Sequence, residues 1–298
     1  MSQHAQKVLI AGATGYLGKH LINAFHRAGY QVRALARHRD TLVGQMDAVD
    51  QLIIAQATQP ETLRGVMADV DIVVSALGIT RQRDGLTYED VDYQANVNLL
   101  NEAMQAGVKR FAYIHVKQAE ALPHVAMAVA KSRFASTLEA ADIASTIICP
   151  SGFFSDLSQV MDMARKGTVY LFGNGEARMS PIDGRDLATA AIGAIEDGAL
   201  RIDIGGPQTL TQNDIARSAF AALGREIRIR HIPVPPIKAL LNLAKRFGLG
   251  QRLGALEFFV SVSQLDMSAP PYGHRTLGDF FKDLAKDEAV GPARLLTV

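Results

Sequence analysis

The chain is predicted to be an α/β protein built on a doubly wound parallel sheet, with a smaller region in its C-terminal half. Three observations carry this. Short apolar runs alternate with helical patterns through the first half of the 298 residues, the rhythm of strand–helix–strand units. The run Asp71–Leu77 is almost wholly apolar, as a strand covered on both faces has to be. After Pro150 the regular beat stops, and short strands, turns and helices follow without period.

Taken in order, Lys7–Ala11, Gln31–Ala36, Gln51–Gln56, Asp71–Leu77, Arg110–Ile114 and Ser145–Cys149 are expected strands. Gly15–Ala28, Pro60–Ala68 and His124–Ala141 are expected helices between them. Thr87-Tyr-Glu-Asp90 has capping-box spacing, and Val97, Leu100, Met104 and Val108 then recur at helical intervals. Later, Asp183–Glu196 reads as a helix, Arg201–Ile204 as a strand, and Thr211-Gln-Asn-Asp214 as a second helix start. Ile237–Phe247 and Thr276–Lys286 complete the helices. Residues 1–150 are expected to form the core, rejoined by a segment at about 183–204, and 151–298 the smaller region.

Bulk properties exclude several classes. Hydrophobic residues make up 48% of the chain, enough for a large core. A net charge of +1 gives no field that would gather nucleic acid or anionic lipid. The single cysteine, Cys149, excludes an intramolecular disulfide and a cysteine metal cluster, and suits a reducing compartment. The start, MSQHAQK, lacks a charged-then-apolar signal pattern, and no apolar run reaches the roughly 18 residues a bilayer requires. A cytoplasmic protein is expected, a monomer or homodimer without membrane contact.

The stretch Ile10–Leu21, IAGATGYLGKHL, sets Gly12, Gly15 and Gly18 between the first strand and the first helix. Gly12 allows a turn with positive φ, Gly15 lets a phosphate approach the backbone, and Gly18 lets the helix pack close to the sheet. The exposed N–H groups and helix dipole favour an anion. Position in a strand–helix–strand unit turns this loose motif into a nucleotide-binding expectation. The second strand's end then selects the nucleotide. It reads Val32-Arg-Ala-Leu-Ala-Arg37-His38-Arg39, with no acid before Asp40. A forked guanidinium at Arg37, with Arg39 as a second candidate, suits a 2′-phosphate. NADP is therefore expected, with NAD as the alternative; the bland reading of both arginines is solvated loop charge.

GATGYLG with this basic strand end resembles the atypical short-chain dehydrogenase/reductases, and within them the NmrA-like, NAD(P)H-binding group. VDYQANVNLLNEAMQAGVKRFAYIHV, AKSRFASTLEAADIASTIICPSGFF, SPIDGRDLATAAIGAI and IGGPQTLTQNDIARSAFAALGR agree in order and spacing. The resemblance runs from about Lys7 to about Pro236. It implies a Rossmann-like NAD(P) domain and a small substrate region, and leaves the reaction open, since the family includes reductases, epimerase-like enzymes and dinucleotide-binding regulators. It implies Gly12, Thr14, Gly15, Tyr16, Leu17 and Gly18 around the pyrophosphate, Arg37 at the 2′-phosphate, and Ala76, Leu77 and Gly78 on the adenosine side. It places Lys131 at the nicotinamide ribose, and Pro150, Ser151, Gly152 and Phe153 near the nicotinamide. One departure is Ala57, where the third strand's end usually offers an Asp to the adenine amine.

A second departure concerns catalysis. Reductases of the main branch use a Tyr and a Lys four apart on one helix face, the lysine lowering the phenol's pKa. Here Lys131 is present and Met127 stands at the tyrosine position. The partner serine's place is taken by His115, which is either a replacement proton relay or an ordinary strand-end residue. No histidine has a metal-ligand partner at suitable spacing, so no metal is expected, and no G-x-S-x-G elbow is present.

Phe153, Phe154 and Met127 are candidate substrate contacts, and Tyr170, Phe172, Met179, Phe258 and Phe259 add apolar surface; ordinary core is the alternative for all of them. Pro235–Phe247 is amphipathic and is expected to pack on its own domain or close over the ligand. The leading expectation is an NADP(H)-dependent oxidoreductase acting on a small apolar, quinone-like or enone-like substrate, since hydride transfer itself needs no side-chain acid. The alternatives are a dinucleotide-binding sensor or assembly protein without turnover, and a sugar-nucleotide epimerase-like enzyme.

Overall fold

A computed structural model describes residues 5–42, 44–79, 85–247 and 253–289. The chain folds as two compact units, Met1–Cys149 with Ala188–Ile202, and Pro150–Leu187 with Asp203–Val298.

The first unit is organised by the parallel strands β1 (Lys7–Ala11), β2 (Gln31–Ala36), β3 (Gln51–Ile54), β4 (Ile72–Ser75), β5 (Arg110–Ile114) and β6 (Ala144–Pro150). The helices α1 (Tyr16–Arg27), α2 (Ala95–Gln105) and α3 (Ala126–Glu139) accompany them. The sheet order is β3-β2-β1-β4-β5-β6, extended by a later strand. That order reverses between β1 and β4, the switch point at which open α/β sheets bind ligands. Register is set early, with Val8 opposite Val32 on one side and Ile72 on the other. All four residues of β4 are buried, as its apolar sequence requires. Leu17, Leu21, Ile22 and Phe25 give α1 its buried face at helical spacing. The ring of Phe134, on α3, meets Tyr113 edge-on at 4.7 Å and Phe111 at 5.9 Å. Full burial of such a side chain is worth about 1.5–3 kcal/mol.

Two local expectations changed. The helix expected over Pro60–Ala68 is a short 3-10 turn, Pro60–Leu63. The Thr62 hydroxyl donates to the carbonyls of Gln56 and Gln59, and Arg64 turns to ψ 121°. A side chain that bonds backbone locally competes with helix propagation in this way. The helix expected after Thr87 begins with the foreseen bonds. Thr87 donates through N–H and hydroxyl to Asp90 Oδ2, at 2.8 and 2.7 Å, and Asp90 N–H donates back to Thr87 Oγ1. Its first stretch, Glu89–Gln94, is nevertheless a π-helical turn. The Asn96 side-chain amide donates to the carbonyls of Val91 and Asp92, bonding the wider turn from inside the fold.

After β6 come α4 (Ser158–Arg165), β7 (Val169–Phe172), β8 (Arg178–Met179), α5 (Gly184–Glu196) and β9 (Arg201–Ile204). β9 is the strand that extends the large sheet beside β6. The second unit then continues with β10 (Leu210–Thr211), α6 (Gln212–Leu223), β11 (Ile229–Ile232), α7 (Val234–Arg246), α8 (Gly254–Val262) and α9 (Leu277–Ala289). β7 pairs with β11 in parallel, and β8 with β10 antiparallel. Phe154, Met161, Val169, Phe220 and Phe281 centre this unit's core.

The second predicted helix start is realised as a complete capping box. The Thr211 hydroxyl accepts from Asp214 N–H at 3.0 Å, and the Asp214 carboxylate takes the Thr211 N–H at 3.1 Å. Thr211→Ala is expected to destabilise the protein by about 1 kcal/mol in urea unfolding. Unchanged stability would mean that α6 is held by its packing alone.

Candidate functional site

The loop between β1 and α1 has a cradle's geometry. Gly12 adopts φ +80°, and Gly15 N–H donates to Gly12 O at 3.0 Å, closing the turn. Gly15 is the N-cap of α1, where no side chain caps the first turn and no acidic residue lies within it. The first-turn N–H groups and the dipole thus meet no fixed negative charge in that turn that would oppose a phosphate. Gly18 is locked against the loop: a Cβ there would lie 2.0 Å from Gly12 O and 2.8 Å from Ala13 Cα. Leu17 and Gly18 are buried, Thr14 and Tyr16 half-buried, and the Tyr16 ring stands edge-on to His20 at 4.9 Å. These features suit a dinucleotide pyrophosphate.

At the end of β2, Arg37, His38 and Arg39 are exposed. The Asp40 side chain lies outside the described residues. After β4, Ala76 N–H donates to Ala11 O at 2.9 Å, which places Ala76, Leu77 and Gly78 beside the phosphate loop. Ala76 backbone atoms come within 2.8 Å of a Cβ built on Gly12, so the two loops touch at the switch point.

Lys131, on α3, pairs with Asp92 of the π-helical turn, Nζ to Oδ1 3.2 Å. Asp92 Oδ2 accepts Ile79 N–H at 3.3 Å. The Asp92 side chain is fully buried, whereas that of Lys131 retains 13% exposure. Nζ also lies 5.4 Å from the centre of the Tyr113 ring, within cation–π range. Burial would lower the Lys131 pKa, but Tyr113 and Asp92 outweigh it and the ammonium is held above the usual lysine value. Burial raises the Asp92 pKa above the ordinary carboxylate value, with the Lys131 charge and the Ile79 N–H pulling it back. Tyr113 is pushed up to about 12, mainly by burial, so it is a neutral phenol at neutral pH. Sequence reasoning missed both neighbours of Lys131. Tyr113 reads as one more apolar strand residue, and the inward turn of Asp92 depends on the π-helical geometry, which no spacing rule signals.

His115 has a fully buried side chain whose Nε2 lies 3.5 Å from Glu120 Oε1. Arg201 holds that same oxygen at 2.7 Å. Burial, with the nearby Lys131, lowers the His115 pKa to about 4 despite Glu120. The imidazole is neutral at pH 7. Met127 is buried within α3.

Pro150, Ser151, Gly152, Phe153 and Phe154 belong to the second unit. The Ser151 hydroxyl donates to Met267 O at 2.6 Å and accepts Ser180 N–H at 2.9 Å. Gly152 O accepts Ile182 N–H at 2.9 Å. Phe153 is half-buried, and Phe154 lies in the unit's core against Phe280. Nearby, Asp156 is pushed up to about 6 by burial. Among the described residues no cluster of three His, Cys, Asp or Glu side chains could hold a metal ion, and no helix is long and apolar enough to cross a membrane.

The model of the NAD(P)H-binding family matches residues 12–197, from the first glycine of the loop to the end of α5. The chain belongs to that family. Among its relatives is the chloroplastic divinyl chlorophyllide a 8-vinyl-reductase of Zea mays, 29% identical across 95% of this chain and 80% of that one. The photosystem II assembly factor Ycf39 of Guillardia theta is 25% identical across 76% of this chain and 73% of that one. Among solved structures, the NADPH-dependent quinone oxidoreductase QOR2 of Escherichia coli, complexed with NADPH, shares the fold with a TM-score of 0.73 at 18% identity, covering 93% of this chain and 99% of that one. As an NAD(P)H-binding Rossmann-like protein of oxidoreductase type, the chain places its family glycines where the loop geometry needs them.

Proposed function

We propose that this protein is an NADP(H)-dependent reductase of a quinone, or of a carbon–carbon double bond conjugated to an electron-withdrawing group. The observation that carries the reading is Met127, where the main-branch reductases keep a tyrosine, on the same helix as Lys131. Reduction of an activated alkene does not require a phenol to protonate a carbonyl oxygen. The relative in maize, which is named for reducing a vinyl group, supports the same class. When bound, the reduced nicotinamide supplies a hydride, with its two electrons, to one carbon of the double bond, and a solvent proton completes the other carbon.

The chain's own residues hold and orient. The N–H groups at the start of α1 receive the pyrophosphate. Arg37 receives the 2′-phosphate with its forked donors, and Lys131 holds the ribose hydroxyls beside the nicotinamide. His115, neutral at pH 7, serves as a proton acceptor or as a packing residue, and an imidazolium donor role is disfavoured.

A second reading, a dinucleotide-bound assembly or sensor protein, is favoured by the same Met127 and by the assembly-factor relative. Fluorescence titration with NADPH and NADH, followed by a quinone and enone panel, separates the two. The reductase reading expects tight NADPH binding and oxidation of the cofactor by a panel member. Tight binding with no oxidation favours the sensor, and no binding of either nucleotide overturns both. Arg37→Ala is expected to weaken NADPH by roughly tenfold to a hundredfold, the worth of charged hydrogen bonds, while NADH affinity stays the same. Equal losses for both would remove Arg37 from the 2′-phosphate.

A further inference from the structure

We propose that Asp92 is a positioning residue, whose buried carboxylate fixes the Lys131 ammonium and the backbone after β4 in place before any dinucleotide binds. The proposal deepens the reading of Lys131 as the ribose-binding lysine and rests on it.

The geometry is a cage around one cation. Asp92 Oδ1 lies 3.2 Å from Nζ, and Asp92 Oδ2 takes Ile79 N–H at 3.3 Å. One carboxylate therefore ties α3 to the loop that follows β4. Gly78 closes the third side: a Cβ there would come within 2.8 Å of Asp92 Oδ1 and 3.0 Å of Nζ. Tyr113 lies across the remaining side with its ring centre 5.4 Å from Nζ. The π-helical turn delivers the acid. Asp92 lies within Glu89–Gln94, and Asn96 bonds the Asp92 carbonyl at 3.0 Å. Asn96 Oδ1 in turn accepts from Ser75 Oγ at 2.5 Å, so the same network reaches the last residue of β4. Single π-helical turns inside helices recur at functional sites.

A lysine in such a place needs a partner. Burial alone favours the neutral amine, and a neutral, mobile amine is a poor ligand for ribose hydroxyls. The other titratable groups facing this cluster are Tyr113 and His115 from β5 and its end, with Cys149 of β6 acting on Tyr113. Neither Tyr113, held near 12, nor His115, held neutral, supplies a negative charge at neutral pH. Asp92 is the carboxylate placed against Lys131, with Oδ1 3.2 Å from Nζ. Preorganisation of this kind lowers the ordering cost of binding.

The test uses Asp92→Asn, which keeps the shape and the acceptor for Ile79 N–H and removes the charge. Lysine-side-chain NMR of the full-length protein without nucleotide reads Lys131 directly. The wild-type ammonium is expected to stay protonated throughout pH 7–10, and in Asp92→Asn, where burial is no longer opposed, to lose its proton within that range. NADPH affinity is expected to be level from pH 7 to 9.5 in the wild type, and to fall roughly tenfold over that range in the variant. Lys131 titrating alike in both proteins overturns the proposal, as does a shifted titration with an unshifted NADPH profile. Gly78→Ala is the second variant, in case Asp92→Asn fails to fold. It crowds the ammonium without removing charge, so Lys131 should stay protonated while NADPH affinity falls; unchanged affinity counts against the proposal. A wild type that binds no NADPH overturns the ribose reading itself, and the NMR titration distinguishes that result from a failure of the Asp92 anchor.

Discussion

Gly18→Ala is expected to weaken NAD(P)H binding by roughly tenfold or more and to lower stability. The added methyl would lie 2.0 Å from Gly12 O and 2.8 Å from Ala13 Cα, and both are backbone atoms that no rotamer change can move aside. Two effects oppose each other. Alanine is the better helix former by up to about 1 kcal/mol. Overpacking a well-packed contact costs typically about 1–3 kcal/mol, and a backbone clash this close belongs at the upper end. The clash wins, and relief requires α1 to slide away from the loop by roughly 1 Å in a close-packed interior. That displacement moves the N–H groups that face the pyrophosphate. A loss of roughly tenfold or more in NADPH affinity, about 1.4 kcal/mol, together with a lower Tm, is the expected result. Wild-type affinity in a folded Gly18→Ala protein would show that the approach of α1 to the loop is not what shapes the site.

The second large effect is on acid stability. His115 has a pKa lowered from 6.5 to about 4, chiefly by burial. Because the folded state binds the proton less readily than the unfolded state, the contribution of His115 to stability is fully present above about pH 6.5. It is lost as pH falls from there to about 4, and is constant below. The difference corresponds to about 3 kcal/mol at most. Asp156, pushed up to about 6 by burial, works with the opposite sign, favouring the folded state as pH falls through the same window. The clean measurement is therefore a comparison: unfolding free energy from pH 7 to 4 for the wild type and for His115→Phe. The wild type should lose about 2–3 kcal/mol more than the variant over that interval. Parallel curves would mean that His115 titrates in the fold as it does in water.

What could be read from the sequence was whatever repeats locally. The apolar run of β4, the glycines before α1 and the Thr211 capping box each concern residues a few positions apart, where spacing alone determines what meets what. Pro60–Ala68 escaped this logic because the Thr62 hydroxyl bonds backward to the carbonyls of Gln56 and Gln59. Helical composition does not register such competition. The surroundings of Lys131 escaped it for a different reason. Asp92, Tyr113 and Lys131 come from a π-helical turn, a strand and a helix, and their meeting depends on which strands neighbour each other.

The α/β class, the phosphate loop, the membership of an NAD(P)H-binding family and the presence of Lys131 without a tyrosine four residues before it were all legible from residue order alone. Those properties follow from periodicity, glycine spacing and side-chain chemistry, which are local. It took the packed fold to set a buried Asp92 3.2 Å from Lys131, to bring a phenol from β5 beside it, and to hold His115 neutral. Those properties depend on desolvation and on charge across the fold, and a residue's solvent and charge environment exists only once strands and helices distant in sequence have packed together.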